Sequence, residues 1–149
     1  MILWRVSNHR TLDGRGGLSV PGRWHTRGQH ILYCAPNPAT ALLEVLVHLN
    51  IDLEDVPIHF RYLEIEAPDE TSTETVDVKA LAQDWQLSPD ISRQVGDEWL
   101  GSGRTTLLRV PSVIVPATWN LLLNPRHPES AQIRIVRTHS HPIDLRLLR

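Results

Sequence analysis

The chain has 149 residues, 41% hydrophobic and 21% charged, which fits a single domain over 1–149 with its own core and excludes disordered and fibrous classes. The lone Cys34 allows no internal disulfide, Met1 to Arg10 shows no charged-then-apolar leader, and no apolar run nears the roughly 20 residues of a bilayer span. A cytoplasmic protein without a membrane role is expected.

The net charge of -2 hides a partition. Thirteen acids and three bases lie between Asp52 and Glu98, whereas the flanks carry twelve arginines against Asp13, Glu44, Glu129 and Asp144. An anionic ligand is therefore expected at the flanks. No lysine-rich or aromatic-interleaved basic run is present, so direct nucleic-acid binding is not expected.

Ile2 to Val6 reads as a strand, and Asp13-Gly14-Arg15-Gly16-Gly17 as loop. Ile31 to Ala35 is a second strand. Asn37-Pro38 supplies a side-chain cap and a proline at the first helical position, which predicts a helix to about Leu49. In that helix Leu42, Val45, Leu46 and Leu49 recur at the spacing of a buried stripe, widened by Leu43 and Val47. Thr40, Glu44 and His48 form a narrow polar seam.

Ile58 to Glu66 is β-rich, with Ile58, Phe60 and Tyr62 on one face and Leu63 and Ile65 on the other. That change of face predicts a bulge, or a strand covered on each side in turn. Ala67 to Thr75 reads as polar loop, Lys79 to Trp85 as a short helix, and Ser88-Pro89-Asp90 as the start of a helix to about Leu100, ended by Gly101-Ser102-Gly103. Five short strands are then expected: Leu107 to Val110, Ser112 to Val115, Trp119 to Leu123, Gln132 to Arg137 and Ile143 to Leu148. The fold class is α+β with a meandering C-terminal sheet.

For chemistry, Glu44 is the one carboxylate between Asp13 and Asp52, in a stretch whose other charges are Arg15, Arg23 and Arg27. Arg23 and Glu44 read as opposite poles of a site for an anionic substrate that becomes cationic during reaction. His25, His30, His48, His127 and Cys34 lack paired metal-ligand spacing, so no metal is expected. No Gly-x-Ser-x-Gly elbow, Walker loop or dinucleotide glycine pattern occurs. From spacing alone, each candidate also has a plain structural reading. Arg23 reads as a surface arginine, Glu44 and His48 as helix surface, Tyr33 as core, Ser112 as a strand-entry hydroxyl and Asn124 to Pro128 as a turn.

Gly22-Arg23-Trp24, Tyr33, Leu42-Leu43-Glu44 with His48, Val110-Pro111-Ser112 and Asn124-Pro125-Arg126-His127-Pro128 together resemble the RES-domain toxins. The Arg, Glu and Ser that give the family its name correspond to Arg23, Glu44 and Ser112. The resemblance implies a small domain similar to the ADP-ribosyltransferases, acting as the toxin of a bacterial toxin–antitoxin pair and degrading NAD as a substrate without a prosthetic group. It also implies an antitoxin partner with an Xre-like helix-turn-helix domain.

On this reading Arg23, Tyr33 and Glu44 are the catalytic set, and Arg23, Trp24, Tyr33, His48, Ser112 and Asn124 contact NAD. The chemistry is compatible. An arginine fork suits the pyrophosphate, Glu44 suits the oxocarbenium-like ribose, and Trp24 or Tyr33 suits stacking on nicotinamide. Three alternatives are transfer of ADP-ribose to a host protein, a ribonuclease toxin, and a non-catalytic module for an acidic partner.

Overall fold

The computed structural model describes residues 1–48 and 59–148. One sheet has three antiparallel strands: β1 (Ile2–Val6) pairs with β3 (His59–Glu66), which pairs on its other side with β7 (Arg134–Pro142). A second sheet has the order β2-β6-β5-β4, from β2 (Leu32–Cys34), β6 (Trp119–Leu123), β5 (Leu107–Pro111) and β4 (Thr73–Thr75), with β4 alone running parallel to its neighbour. Trp4 and Ala35 exchange backbone hydrogen bonds of 2.8 and 2.7 Å and tie the two sheets together.

The architecture is α+β, as the sequence predicts. Leu3, Leu63 and Ile65 of the first sheet meet Leu32, Cys34, Leu107 and Leu123 of the second in one buried cluster. Alternate residues of the second sheet, Leu108, Val110 and Leu122, face the opposite way and pack with Trp24, Trp85 and Trp99. The core of the second sheet is thus covered on both faces, which is why β2, β5 and β6 read as largely apolar runs. Burial pushes the Cys34 thiol up to about 11, so it behaves as a core residue.

Helix α2 (Pro38–Leu46) starts as predicted: the Asn37 side chain accepts from the Thr40 N–H at 2.8 Å, and Pro38 follows. It ends earlier than predicted, with Val47 as its C-cap, and Leu49 lies outside the described residues, as does Ile58. The expected stripe is only partly covered, since Ala41 alone is buried while Leu42, Val45 and Leu46 are half-buried and Val47 is exposed.

Helix α3 (Pro89–Ser102) is closed by Gly103 at φ 61°, a left-handed cap that glycine adopts without steric cost. The extra residue of the expected bulge lies on β7, at Val136, where Glu64 pairs with Arg137 but Ile65 with Ile135. Strand β3 itself is covered on both faces in turn, with Phe60 on one and Leu63 and Ile65 on the other.

Several expectations are corrected. Gly16–Ser19 forms a single helical turn, α1, inside the glycine-rich loop, and the segment read as polar loop contains β4, whose Thr and Glu side chains suit an edge strand. Lys79 to Trp85 is not one helix; 3-10 turns form at Val78–Ala80 and Trp85–Leu87. Ser112 to Val115 is a turn, because the Ser112 hydroxyl accepts from the Ile114 and Val115 amides at 3.1 and 3.2 Å. Ile143 to Leu148 contains a 3-10 turn over Leu145–Leu148 in place of a strand. The C-terminal strands do not form one meander, as β7 joins the first sheet and β5 and β6 the second.

A polar clip closes the entry to β4 and β5. Glu129 Oε2 accepts from the Ser72 amide at 2.9 Å, the Ser72 hydroxyl at 2.6 Å and the Thr106 hydroxyl at 2.5 Å. Those donors, with His127 nearby, hold its carboxyl down from the ordinary 4.5 to about 2. A depressed carboxylate stabilises the fold above its unfolded value and loses that contribution as pH falls toward the folded one. The melting temperature is therefore expected to drop between about pH 4.5 and 2, and Glu129→Gln to be less stable at neutral pH with a flatter acid limb. Superimposable acid limbs of the two proteins would remove Glu129 from this role.

Candidate active site

Glu44 lies on α2, one turn after Thr40. Its Oε1 accepts from Asn120 Nδ2 at 2.8 Å and from the Ser112 hydroxyl at 3.2 Å. Its Oε2 takes no hydrogen bond among the described residues. Both donors come from the β5–β6 hairpin: Ser112 directly follows β5, and Asn120 is the second residue of β6. Asn120 pairs with Val110, and Leu122 with Leu108 and Tyr33, so Asn120 and Tyr33 lie on one face of the second sheet. The structure thus brings together Glu44 and Ser112, places Tyr33 on the same sheet face, and adds Asn120.

Tyr33 and His25 form a second group. A backbone carbonyl can only accept, so His25 Nε2–H donates to Val20 O at 3.0 Å and Nδ1 carries the lone pair. The Tyr33 hydroxyl donates to that Nδ1 at 2.7 Å and accepts from the Trp24 amide at 3.0 Å. Burial pushes the phenol up and the imidazole down, so both stay neutral at pH 7. The pair fixes the Gly22–His25 turn. A Cβ on Gly22 would come within 2.4 Å of the Tyr33 oxygen and 2.6 Å of the His25 ring, which accounts for glycine there.

Arg23 extends from this turn. Its Nη2 donates to Trp85 O at 3.0 Å and to Gln86 O, and its guanidinium carbon sits 5.8 Å from the centre of the Trp85 ring. Burial, then the neighbouring Arg93, lowers its pKa. Its Nε is buried without a partner, and it pairs with no carboxylate among the described residues. Nη1, which has no partner among the described residues and does not share the burial of Nε, is therefore the donor open to a phosphate. Trp24 is 2% exposed and packs on Trp85 at 5.5 Å, so its indole belongs to the core and offers no open face for stacking.

His48 follows α2 in an exposed turn, and Asn124 is buried with its side-chain oxygen accepting from the Arg126 amide at 3.0 Å. Neither makes a hydrogen bond to Glu44 among the described residues. The histidines of the metal hypothesis are separate: His25 bonds Tyr33, His30 bonds Asp13 O and His127 bonds Thr106.

The loop carrying Arg23 is fastened to one face of α3. Arg93 Nε donates to Gly22 O at 2.8 Å, the Ser92 hydroxyl to Arg23 O at 2.5 Å, and Asp97 accepts from the Thr26 amide and hydroxyl at 3.0 and 2.6 Å. Gly96 receives the Trp24 backbone between them. Residues 92, 93, 96 and 97 share a helical face, so α3 positions the loop. An open groove of about 550 Å³ along this helix is lined by Asp90, Asp97 and Glu98 with only Arg93 opposing them, a poor match for an anion. A second groove, of about 340 Å³, opens beside Thr40, with Arg109 stacked 4.5 Å over Trp119.

Asn120 and the α3 fastening were missed from sequence. A single polar residue inside Trp-Asn-Leu-Leu-Leu was the available signal for the first, and small residues four apart, Ser92 and Gly96, for the second.

A family model described as the RES domain matches residues 2–146. The chain is 47% identical over 135 residues to a protein of Pseudomonas putida named "Toxin Res", covering 91% of this chain and 92% of that one. It is 38% identical over 156 residues to the "Prs ADP-ribosylating toxin" of a Sphingobium species, with 98% and 96% coverage. Among solved structures, the crystal structure of the M. tuberculosis MbcT-MbcA toxin-antitoxin complex contains a chain that superposes with a TM-score of 0.74 over 95% of this chain and 84% of that one. At 15% identity this likeness shows the fold. With the family match running over almost its entire length, the chain belongs to the RES-domain family.

Proposed function

We propose that this RES-domain protein is the toxin of a toxin–antitoxin pair and that it cleaves NAD at the nicotinamide–ribose bond. The observation that carries the reading is the state of Glu44: one carboxylate, steadied through Oε1 by two neutral donors, with Oε2 open. A single open carboxylate suits a reaction whose leaving group is already a cationic pyridinium. No strong general acid is needed, and the charge that develops is positive, on the ribose. Ser112 and Asn120 hold the carboxylate in place without neutralising it. Arg23 meets the pyrophosphate through Nη1, while Tyr33 holds the turn from which Arg23 projects.

Incubating the purified protein with NAD, with and without phosphate, and identifying the products tests the reading. Release of nicotinamide together with ADP-ribose or its 1-phosphate supports it; unchanged NAD overturns it. The second reading, transfer of ADP-ribose to a host protein, is favoured by the name of the Sphingobium relative. Mass analysis of host proteins after expression separates the two.

The partner is an antitoxin with an Xre-like helix-turn-helix domain, which restrains the enzyme. The proposed place of action is the cytoplasm; no helix among the described residues is long and apolar enough to cross a membrane.

Arg23→Ala is expected to reduce NAD turnover strongly, since a charge-assisted contact contributes about 1.5–3 kcal/mol. It also removes the strap to Trp85 O and Gln86 O, so a melting curve must accompany the assay. Arg23→Lys keeps the charge but not the planar geometry and is expected to restore only part of the rate. Near-normal turnover in well-folded Arg23→Ala would remove Arg23 from the site.

A further inference from the structure

Asn120 sits on β6, between β2 and β5, and is 9% exposed. Its Nδ2 is engaged with Glu44 Oε1 at 2.8 Å, but its Oδ1 is buried and has no partner among the described residues. The amide orientation is dictated by chemistry, because reversing it would set a carbonyl oxygen against a carboxylate oxygen with no proton between them. The carboxylate therefore turns the unpaired, buried Oδ1 away from Oε1, while Glu44 Oε2 also takes no hydrogen bond among the described residues. Buried carbonyl groups are seldom left without a donor, and here the unpaired oxygen belongs to the side chain that holds the candidate catalytic group.

We propose that Asn120 is a substrate-binding residue whose Oδ1 accepts a hydrogen bond from a hydroxyl of the nicotinamide-side ribose, while Glu44 Oε2 takes the neighbouring hydroxyl. This rests on the NAD reading of the same site. Two unpaired acceptors on side chains joined by one hydrogen bond, one charged and one neutral, match the two donors of a cis-diol. Asn120 joins the pair through its own Nδ2–H, so the residue that steadies Glu44 also reads the sugar. The arrangement selects for a ribose with both hydroxyls free, because a deoxy sugar leaves one buried acceptor unpaired.

The test compares kcat/KM of the purified full-length protein for NAD and for its 2′-deoxy and 3′-deoxy analogues in the nicotinamide-side ribose. The wild type is expected to favour NAD over each analogue by at least about tenfold. In Asn120→Ala the preference against one analogue is expected to fall to near unity, identifying the hydroxyl that Oδ1 reads, while the preference against the other persists through Glu44. A purely structural role for Asn120 would lower all three rates together and leave the ratios unchanged. Asn120→Ser, whose side chain is too short to reach the sugar, carries the same comparison if the alanine variant melts. Unchanged ratios in a folded variant overturn the assignment, as does a wild type that cleaves NAD and both analogues equally well. A wild type that does not cleave NAD overturns the functional reading as well.

Discussion

Glu44→Gln is expected to lower NAD turnover by about 100-fold or more while leaving the fold intact. Glutamine keeps the length of the side chain, and its carbonyl oxygen can take the place of Oε1 as acceptor for Asn120 Nδ2 and the Ser112 hydroxyl. On the proposed reaction, what is lost is the negative charge facing the ribose as it becomes cationic. Removing one preorganised electrostatic stabiliser costs roughly 2.7–4 kcal/mol in the transition state, which is the stated factor in rate. The effect on stability is expected to be about 1 kcal/mol or less, since α2 is held by its Asn37 cap and its packing on β1, not by this carboxylate. Cellular NAD and growth after expression without an antitoxin, together with a melting curve of the purified variant, separate the two effects. A Glu44→Gln protein that still depletes NAD and arrests growth removes Glu44 from catalysis, and an unfolded one makes it structural.

The largest effect on stability is expected at Gly96. Glycine to alanine in a helix normally stabilises by about 1 kcal/mol. At Gly96, however, a Cβ would stand 1.6 Å from the Trp24 carbonyl oxygen and 2.7 Å from its carbonyl carbon. Both are backbone atoms of a segment fastened to α3 on either side by Ser92, Arg93 and Asp97, so they have nowhere to move without breaking those bonds. Overpacking of this kind costs typically 1–3 kcal/mol and sometimes more, and a direct overlap with a held backbone belongs at the upper end. Gly96→Ala is therefore expected to lose about 3 kcal/mol or more, measured by denaturant unfolding, and activity should fall with the displaced Arg23 loop. A variant as stable as the wild type would show that α3 and the loop are not in this contact.

What was legible in the sequence was local. Asn37-Pro38 announces α2 because a cap and a fixed φ act within one turn, and Gly103 announces the end of α3 for the same reason. Strand β6 was legible because its composition is strongly apolar. Partners brought together from far along the chain were not legible. Ser112 was read as a strand residue, since Ser-Val-Ile-Val has β composition; the hydroxyl's capture of two amides decides for a turn instead. Asn120 lies 76 positions from Glu44, and no periodicity encodes that pairing. Arg23, Glu44 and Ser112 were named through the family resemblance. Their geometry divides them, with Ser112 on Glu44 and Arg23 on the 3-10 turn at Trp85. Trp24 reads in sequence as a contact to NAD, and its burial places it in the core instead.

The β5–β6 hairpin also acts as a gauge. Ser112 and Asn120 reach the same oxygen of Glu44 from its two arms, and the Ser112 amide bonds Thr118 O at 2.8 Å to set the distance across the loop between them. Strand pairing tolerates a loop of almost any length, but a shared acceptor does not. Among relatives built this way, insertions should accumulate elsewhere on the surface and spare residues 113–118. A single added residue there would shift one donor relative to the other while leaving every strand of the sheet paired.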